Sequence, residues 1–486
     1  MTIDLSTPVL HGRGLPWYLP SLHSAFTHTI SASIYDLRPN KLPASILSPQ
    51  KLNFLLPDSY FYYPRALYSV GSAELDLEKN RKLDKSVMSR DPLNTWILAD
   101  CGGYQAKSDE LKIDYKYPDD YLEKNLRWQE DIADVGMYLE IPIEIADMEY
   151  FEKKSKTGKF KNEKGENTAR WDNRFYNRKS ALLEFTEQCF DFFDKNKSED
   201  FKMCMPIHGR TIDEAIEWYE RFKKYDHCGY AFGGALSVDI TNLCYLADHI
   251  KRDGGFENGR GELLHIFGVG HARAMIAYTV LMTVLRKHCN PDLQLTIDAS
   301  SPGLQAAKFG QVYNDFSVDP DKYLTSPNTM RFQDAIKNLN PEMHYPYAGN
   351  SPVFQNIKVK DFLSDKKSGK PDALTSQIVT ANNIYMHITS LYFVMERTFR
   401  DVEILTNKLN EKSFMGQDFN EYLINEDFTI KEDAAASFLY LRSMCDTLMT
   451  YSNSLKDLDQ RRDIADDFRS KIDTITTLKD GSKFKT

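Results

Sequence analysis

The 486-residue chain has few cysteines and no long apolar run. Its seven cysteines are scattered without a C-x-x-C pair, which argues against a disulfide framework and against a cysteine-rich zinc site. The longest apolar stretch, from Ala274 to Leu285, is too short to span a bilayer, and the N-terminus lacks a charged-then-apolar signal pattern. We therefore expect no membrane contact and a location in a reducing cytoplasm.

Positive charge is outweighed by negative charge, with 61 Lys and Arg against 70 Asp and Glu and a formal net charge of −9. Nonspecific binding of nucleic acid needs clustered Lys and Arg, so any such contact requires a local basic patch. One insert, residues 151–179, provides it with ten basic against four acidic side chains and interleaved aromatic rings. It resembles a phosphate-contacting flap, with a solvated surface loop as the alternative. The candidate nucleic-acid-binding residues are Lys153, Lys154, Lys156, Lys159 and Lys161.

Units of strand, turn and helix recur along the chain, whose 42% hydrophobic content is enough for a large core. The clearest strands lie at 96–100, 133–142, 202–209, 228–234, 263–270 and 293–298, and the run from Leu52 to Leu56 is a candidate early strand. Strands that alternate with amphipathic helices favour a parallel sheet. This number of units over about 250 residues predicts an α/β fold of the closed (β/α)8 TIM-barrel type.

Acidic residues follow several of these strands. Asp100 ends the apolar strand that begins at Trp96, Glu140 ends an alternating run, and Asp298 follows the strand that begins at Leu293. The carboxyl ends of parallel strands are where catalytic side chains collect in barrels. The alternative for Asp100 is an ordinary strand that closes in an Asx turn.

Five motifs then carry a resemblance to a known family. They are DCGGYQ at 100–105, ADVGMYLEIP at 133–142, GYAFGG at 229–234, FGVG at 267–270 and the D-x-x-x-P of 298–302. In this order they resemble the motif set of the tRNA-guanine transglycosylase family, a TIM barrel that exchanges guanine for a 7-deazaguanine base. The segment 381–398 is similar to the family's helix after its zinc site.

The resemblance implies that Asp298 is the nucleophile and Asp100 the acid and base. Base exchange with retention at C1′ requires two carboxylates, because one attacks C1′ and the other transfers the proton of the leaving and entering bases. The base-binding residues that it implies are Tyr104, Gln105, Glu140, His208, Gly233, Gly234 and Phe267. Tyr104 and Phe267 would sandwich the base. His208 replaces a family Gln and has a satisfied core histidine as its alternative, while Cys101 replaces a Ser and is interpreted as a small buried residue.

The departures from the family concern its zinc subdomain. No cysteine lies between Cys289 and Cys445, and Asn382 stands where the zinc-binding histidine would be. We therefore expect no metal, no cofactor and no zinc subdomain, which also puts the family's dimer in doubt. The predicted organisation is a barrel domain over 1–344, a linker or long loop over 345–376 and a helical C-terminal region over 377–486.

These departures and the basic insert make the chain most similar to the DNA-modifying branch of the family, found in phages and bacterial modification clusters. The implied partners are DNA and a free 7-deazaguanine of the preQ0 type, in the host cytoplasm if a phage encodes the protein. A divergent transglycosylase that acts on tRNA is the alternative. A non-catalytic partner subunit that binds nucleic acid is a second alternative, against which the presence of both Asp100 and Asp298 argues.

Overall fold

A computed structural model of the chain shows a closed barrel of eight parallel strands, each paired with the next in sequence, with the eighth paired to the first. The structure describes residues 15–34, 48–72, 76–103, 113–114, 116–146, 175, 178–234, 236, 240–270, 272–314, 328–347, 351–355, 357–362, 372–411 and 463. The barrel strands are β1 (Trp17–Leu22), β2 (Arg65–Ser69), β3 (Trp96–Asp100), β4 (Val135–Met137), β5 (Lys202–Ile207), β6 (Gly229–Phe232), β7 (Leu263–Ile266) and β8 (Gln294–Ala299). The predicted (β/α)8 barrel is confirmed.

Helices alternate with these strands in the described part of the chain. They are α1 (Ser24–Ile34), α2 (Leu77–Leu83), α3 (Lys85–Met88), α4 (Asp119–Ile132), α5 (Lys179–Asn196), α6 (Ile212–Phe222), α7 (Ile240–Arg252), α8 (Ala272–His288), α9 (Ser301–Ala307), α10 (Phe332–Ile336) and α11 (Ala373–Glu411). Two short antiparallel strands, β9 (Gln311–Tyr313) and β10 (Thr329–Arg331), follow the barrel. Because helices cover the barrel, its strands are buried and strongly apolar.

The long helix α11 is joined to the barrel by a buried asparagine. The Asn383 side chain accepts the N–H of Tyr313 at 2.8 Å and donates to the carbonyls of Pro302 and Gln311. Pro302 lies in α9, directly after the strand that carries Asp298. The C-terminal helix therefore supports the backbone that follows the candidate nucleophile.

The prediction of a strand over Leu52–Leu56 is wrong. Leu52 ends a short 3-10 helix, and turns follow it. Leu52, Phe54 and Leu55 are buried, and the Phe54 ring stacks on Phe26 of α1 with centroids 6.4 Å apart. The run is apolar because it packs against a helix as a loop, so its hydrophobicity does not indicate strand pairing.

The stretch predicted as a linker or long loop has little regular structure where it is described, yet it is packed. Tyr345, Phe354 and Phe362 are buried and contact one another edge to face, with ring centroids 4.9 to 5.3 Å apart. The predicted domain boundaries stay predictions. Of the predicted helical C-terminal region, the described part is α11 up to Glu411, and 412–486 lie outside the described residues except Asp463.

Candidate active site

Asp100 and Asp298 lie on one rim of the barrel. Asp100 is the last residue of β3, and Asp298 is the last but one of β8. Since all eight strands are parallel, their carboxyl ends meet at the same rim. The register sets Asp100 beside Ser69 on β2 and Asp298 beside Leu19 on β1, so each acid has a neighbouring strand to orient it.

The carboxylate of Asp298 is held by groups from β1 and from the turn after β7. The Ser21 hydroxyl donates to Oδ2 at 2.8 Å, and the Gly268 N–H donates to Oδ1 at 2.7 Å. Gly268 has a φ of 69°, a conformation that glycine adopts without strain and that aims its N–H at the acid. Nε2 of His265 lies 3.6 Å from Oδ1. These two hydrogen bonds fix the orientation of the carboxylate at the rim.

The environment of Asp100 favours the protonated form of its carboxyl. Burial raises the pKa of its carboxyl to about 7, and the nearby negative charge of Glu140 adds to the rise, with a smaller contribution from Asp298. Hydrogen bonds from the Ser69 side chain and the Gly102 N–H oppose it. A carboxyl with a pKa near 7 both donates and accepts a proton near neutral pH, which is what general acid and base catalysis requires.

Glu140 lies three residues beyond β4 and is buried beside the residues that follow β3 and β5. Its Oε1 is 3.0 Å from Nε2 of His208, and its Oε2 accepts the Cys101 thiol. A Cβ on Gly103 would lie 2.1 Å from Oε1, so only glycine lets Glu140 occupy this position. The carboxylate and imidazole together offer an acceptor beside a hydrogen-bonding ring nitrogen, a suitable pair for the polar edge of a purine.

The Cys101 thiol is not a nucleophile in this arrangement. It is fully buried, and burial together with the negative charge of Glu140 raises its pKa well above the usual range. The thiol therefore stays protonated and serves as a donor to Glu140. This agrees with its interpretation from the sequence as a small buried residue.

Phe267 and Gly233 lie together after β7 and β6. A Cβ on Gly233 would come within 3.5 Å of the Phe267 ring, and the ring meets His265 edge to face with centroids 4.5 Å apart. Gly234 follows with a φ of 63°. Tyr104, Gln105 and the five candidate lysines lie outside the described residues, so their proposed roles stay predictions.

Three residues at this rim were not among the sequence candidates. Ser21 on β1 contacts Asp298, and Ser69 on β2 contacts Asp100, but neither strand has a clear pattern in the sequence. His265 lies in an apolar run that is typical of an ordinary buried strand. Each contact joins separate strands, and Ser21 and Asp298 are 277 residues apart. The only available signal was the polar residue type inside an otherwise apolar strand.

The fold and the site together define a (β/α)8 barrel with three acids at its carboxyl-end rim. No protein-family model matches this sequence, and no curated protein has a matching sequence. Within the described residues, no cluster of His, Cys, Asp and Glu side chains could hold a metal ion. In the same part of the chain, no helix combines the length and the apolarity needed to cross a membrane.

Proposed function

We propose that this protein exchanges guanine in DNA for a 7-deazaguanine of the preQ0 type through a glycosyl ester on Asp298. One observation carries the proposal. The barrel rim holds two carboxylates in different environments, Asp298 bonded to two donors and Asp100 with a pKa near 7. Pairs of acids whose surroundings differ in this way divide into a nucleophile and a proton carrier.

The chemistry takes two displacements at the same sugar carbon. In the first, a carboxylate oxygen of Asp298 bonds to C1′ while the bond from C1′ to guanine breaks, and the Asp100 carboxyl protonates the leaving base. In the second, the entering base gives its proton to Asp100 and bonds to C1′, which releases Asp298. Two inversions give net retention at C1′. Asp100 ends the cycle protonated, as it began.

The groups around Glu140 supply recognition of the base. Glu140 accepts N–H donors of the guanine edge, and the His208 imidazole lies beside it. The Phe267 ring supplies one stacking face, and Tyr104 would supply the other. Stacking on an aromatic ring is worth about 1 to 3 kcal/mol per base, which helps to offset the cost of extracting a base from a duplex.

DNA is favoured over tRNA by sequence features away from the rim. The basic insert 151–179 follows the strand that leads to Glu140, and the cysteines of a zinc module are missing. Phe175, one of the described residues of this insert, is buried and packs on Phe185 of α5 with centroids 5.8 Å apart. The insert is therefore anchored near its end to a helix of the barrel.

The substrate is tested by incubating the protein with radiolabelled preQ0 or guanine and with either duplex DNA or tRNA. We expect label in DNA and none in tRNA. Uptake into tRNA alone would overturn the DNA assignment and favour the divergent tRNA enzyme. Absence of uptake into either polymer, with retained binding, would favour the non-catalytic partner subunit.

The insert is tested by changing Lys153, Lys154, Lys156, Lys159 and Lys161 together to Ser. If they contact phosphates, DNA binding should weaken and the slope of log affinity against log salt should fall by roughly 0.9 per lost contact. Affinity for the free base should not change. The matched control changes the same five lysines to Arg, which keeps the charge and should keep the slope. An unchanged slope in the Ser variant would identify the insert as a solvated surface loop.

A further inference from the structure

A buried histidine lies directly beneath the candidate nucleophile. His265 is the third residue of β7, and its side chain is completely shielded from solvent. Its Nδ1 is 2.8 Å from the hydroxyl of Thr296 on β8, and its Nε2 is 3.6 Å from Oδ1 of Asp298. Nε2 has no hydrogen-bond partner among the described residues. The ring thus connects two residues of the strand that carries the nucleophile.

The surroundings fix which ring nitrogen carries the proton. A lone pair on Nε2 would face the negative charge of Asp298, whereas a proton there is attracted to it. Thr296 can donate its hydroxyl proton to Nδ1, and a hydrogen bond at one ring nitrogen sets the tautomer at the other. The favoured tautomer therefore carries its N–H on Nε2, aimed at Oδ1.

We propose that His265 is a positioning residue for the reaction at Asp298, an inference that rests on the proposed function. The 3.6 Å separation is longer than a hydrogen bond, and catalytic contacts that are long in a free enzyme shorten in the reacting complex. Donation from Nε2 to Oδ1 stabilises the carboxylate as it leaves C1′. The second displacement therefore depends on His265 more than the first does.

The same contacts indicate which oxygen attacks. Oδ1 faces the Gly268 N–H, which the backbone fixes, and the His265 ring, which the core fixes. The donor recorded at Oδ2 is the Ser21 hydroxyl, which can rotate away at little cost. We assign Oδ2 as the atom that bonds to C1′, with Oδ1 held as the oxygen that retains its donors in the ester.

A purely structural role explains His265 poorly. The other residues of β7 are Leu263, Leu264 and Ile266, and an apolar side chain would fill the position without burying a polar nitrogen. Leaving a buried N–H without a partner costs stability. Residues that reduce stability in this way are typical of functional sites. We therefore expect the Nε2 N–H of His265 to find its partner, Asp298, during the reaction.

The test compares H265F, H265Q and a matched control, H227F. Phe keeps a ring against Phe267 but has no donor, and Gln places an amide N–H near the Nε2 position. His227 is also buried with an unpartnered Nε2, but it precedes β6 at the opposite end of the barrel. We expect H265F to lose about 10- to 100-fold in kcat, H265Q to recover most of the loss, and H227F to behave as wild type.

Two readouts separate positioning from simple damage to the fold. In H265F, kcat/KM for the entering base should fall more than kcat/KM for DNA, and covalent protein–DNA adduct should accumulate in a denaturing gel. If H265F does not fold, T296V removes the hydroxyl that sets the tautomer and should give the same pattern with a smaller loss, roughly 3- to 10-fold.

The outcomes distinguish this inference from the proposed function. A wild type that exchanges bases, together with H265F or T296V variants of unchanged kcat and adduct level, overturns the role of His265 alone. Equal losses in both kcat/KM values also overturn it, since they indicate general damage. A wild type that neither exchanges bases nor forms an adduct overturns the proposed function and the role of His265 with it.

Discussion

Replacing Asp298 with Asn should abolish base exchange and leave the barrel folded. Asn cannot form the glycosyl ester, and loss of a covalent nucleophile costs at least about a thousandfold in kcat. Its amide oxygen can still accept from the Gly268 N–H or the Ser21 hydroxyl, so the rim should keep its geometry. The measurement is uptake of labelled base into DNA, with circular dichroism to verify folding.

The matched control for this variant is D226N. Asp226 lies just before β6, at the opposite end of the barrel, and its side chain is exposed beside Lys197. The same chemical change there should leave exchange at the wild-type level. Exchange by D298N at a rate near that of wild type would remove Asp298 as the nucleophile.

Replacing Asp100 with Asn should reduce exchange by about 100- to 10,000-fold, because Asn cannot carry the proton between the leaving and entering bases. In the wild type, the first displacement needs a protonated Asp100. We therefore expect kcat/KM for DNA to fall as the pH rises through about 7, the pKa that burial and Glu140 give to this carboxyl. A profile that is flat from pH 6 to 8 would exclude Asp100 as the acid.

The same variant should gain stability relative to wild type as the pH rises. Because the pKa of Asp100 is about 7 in the folded protein and 3.8 in the reference state, the folded state holds its proton more tightly than the unfolded chain. The stability associated with the neutral carboxyl is complete below the unfolded pKa and is lost as the pH rises through the folded pKa. In urea denaturation, the free energy of unfolding of D100N relative to that of wild type should rise by roughly 2 to 3 kcal/mol between pH 5 and pH 8. A constant difference would contradict the raised pKa.

The sequence was sufficient to predict the barrel because most of its strands are short apolar runs closed by glycine or an acid. The predicted bounds of β3, β5, β6 and β8 are within two residues of the observed ones, whereas β7 begins where predicted but ends four residues earlier. The first two strands were not, because β1 contains Pro20 and β2 begins with the buried Arg65, so neither has a clear alternation of apolar and polar residues.

The candidate acids were also visible in the sequence, since the end of a parallel strand has a predictable place at the rim. Their environments were not, because these depend on contacts between strands that are far apart in the chain. The pKa of Asp100 is raised by burial and by the nearby charge of Glu140, and the Asp298 carboxylate is fixed by hydrogen bonds from Ser21 and Gly268. Local patterning carries no information on such contacts.

The most direct measurement is mass spectrometry of the wild-type protein after incubation with guanine-containing DNA and no entering base. A covalent sugar on the peptide that contains Asp298 is the predicted result, and addition of the 7-deazaguanine base should discharge it. A sugar attached to Asp100, or no adduct in a preparation that exchanges bases once the 7-deazaguanine is added, would contradict covalent catalysis by Asp298.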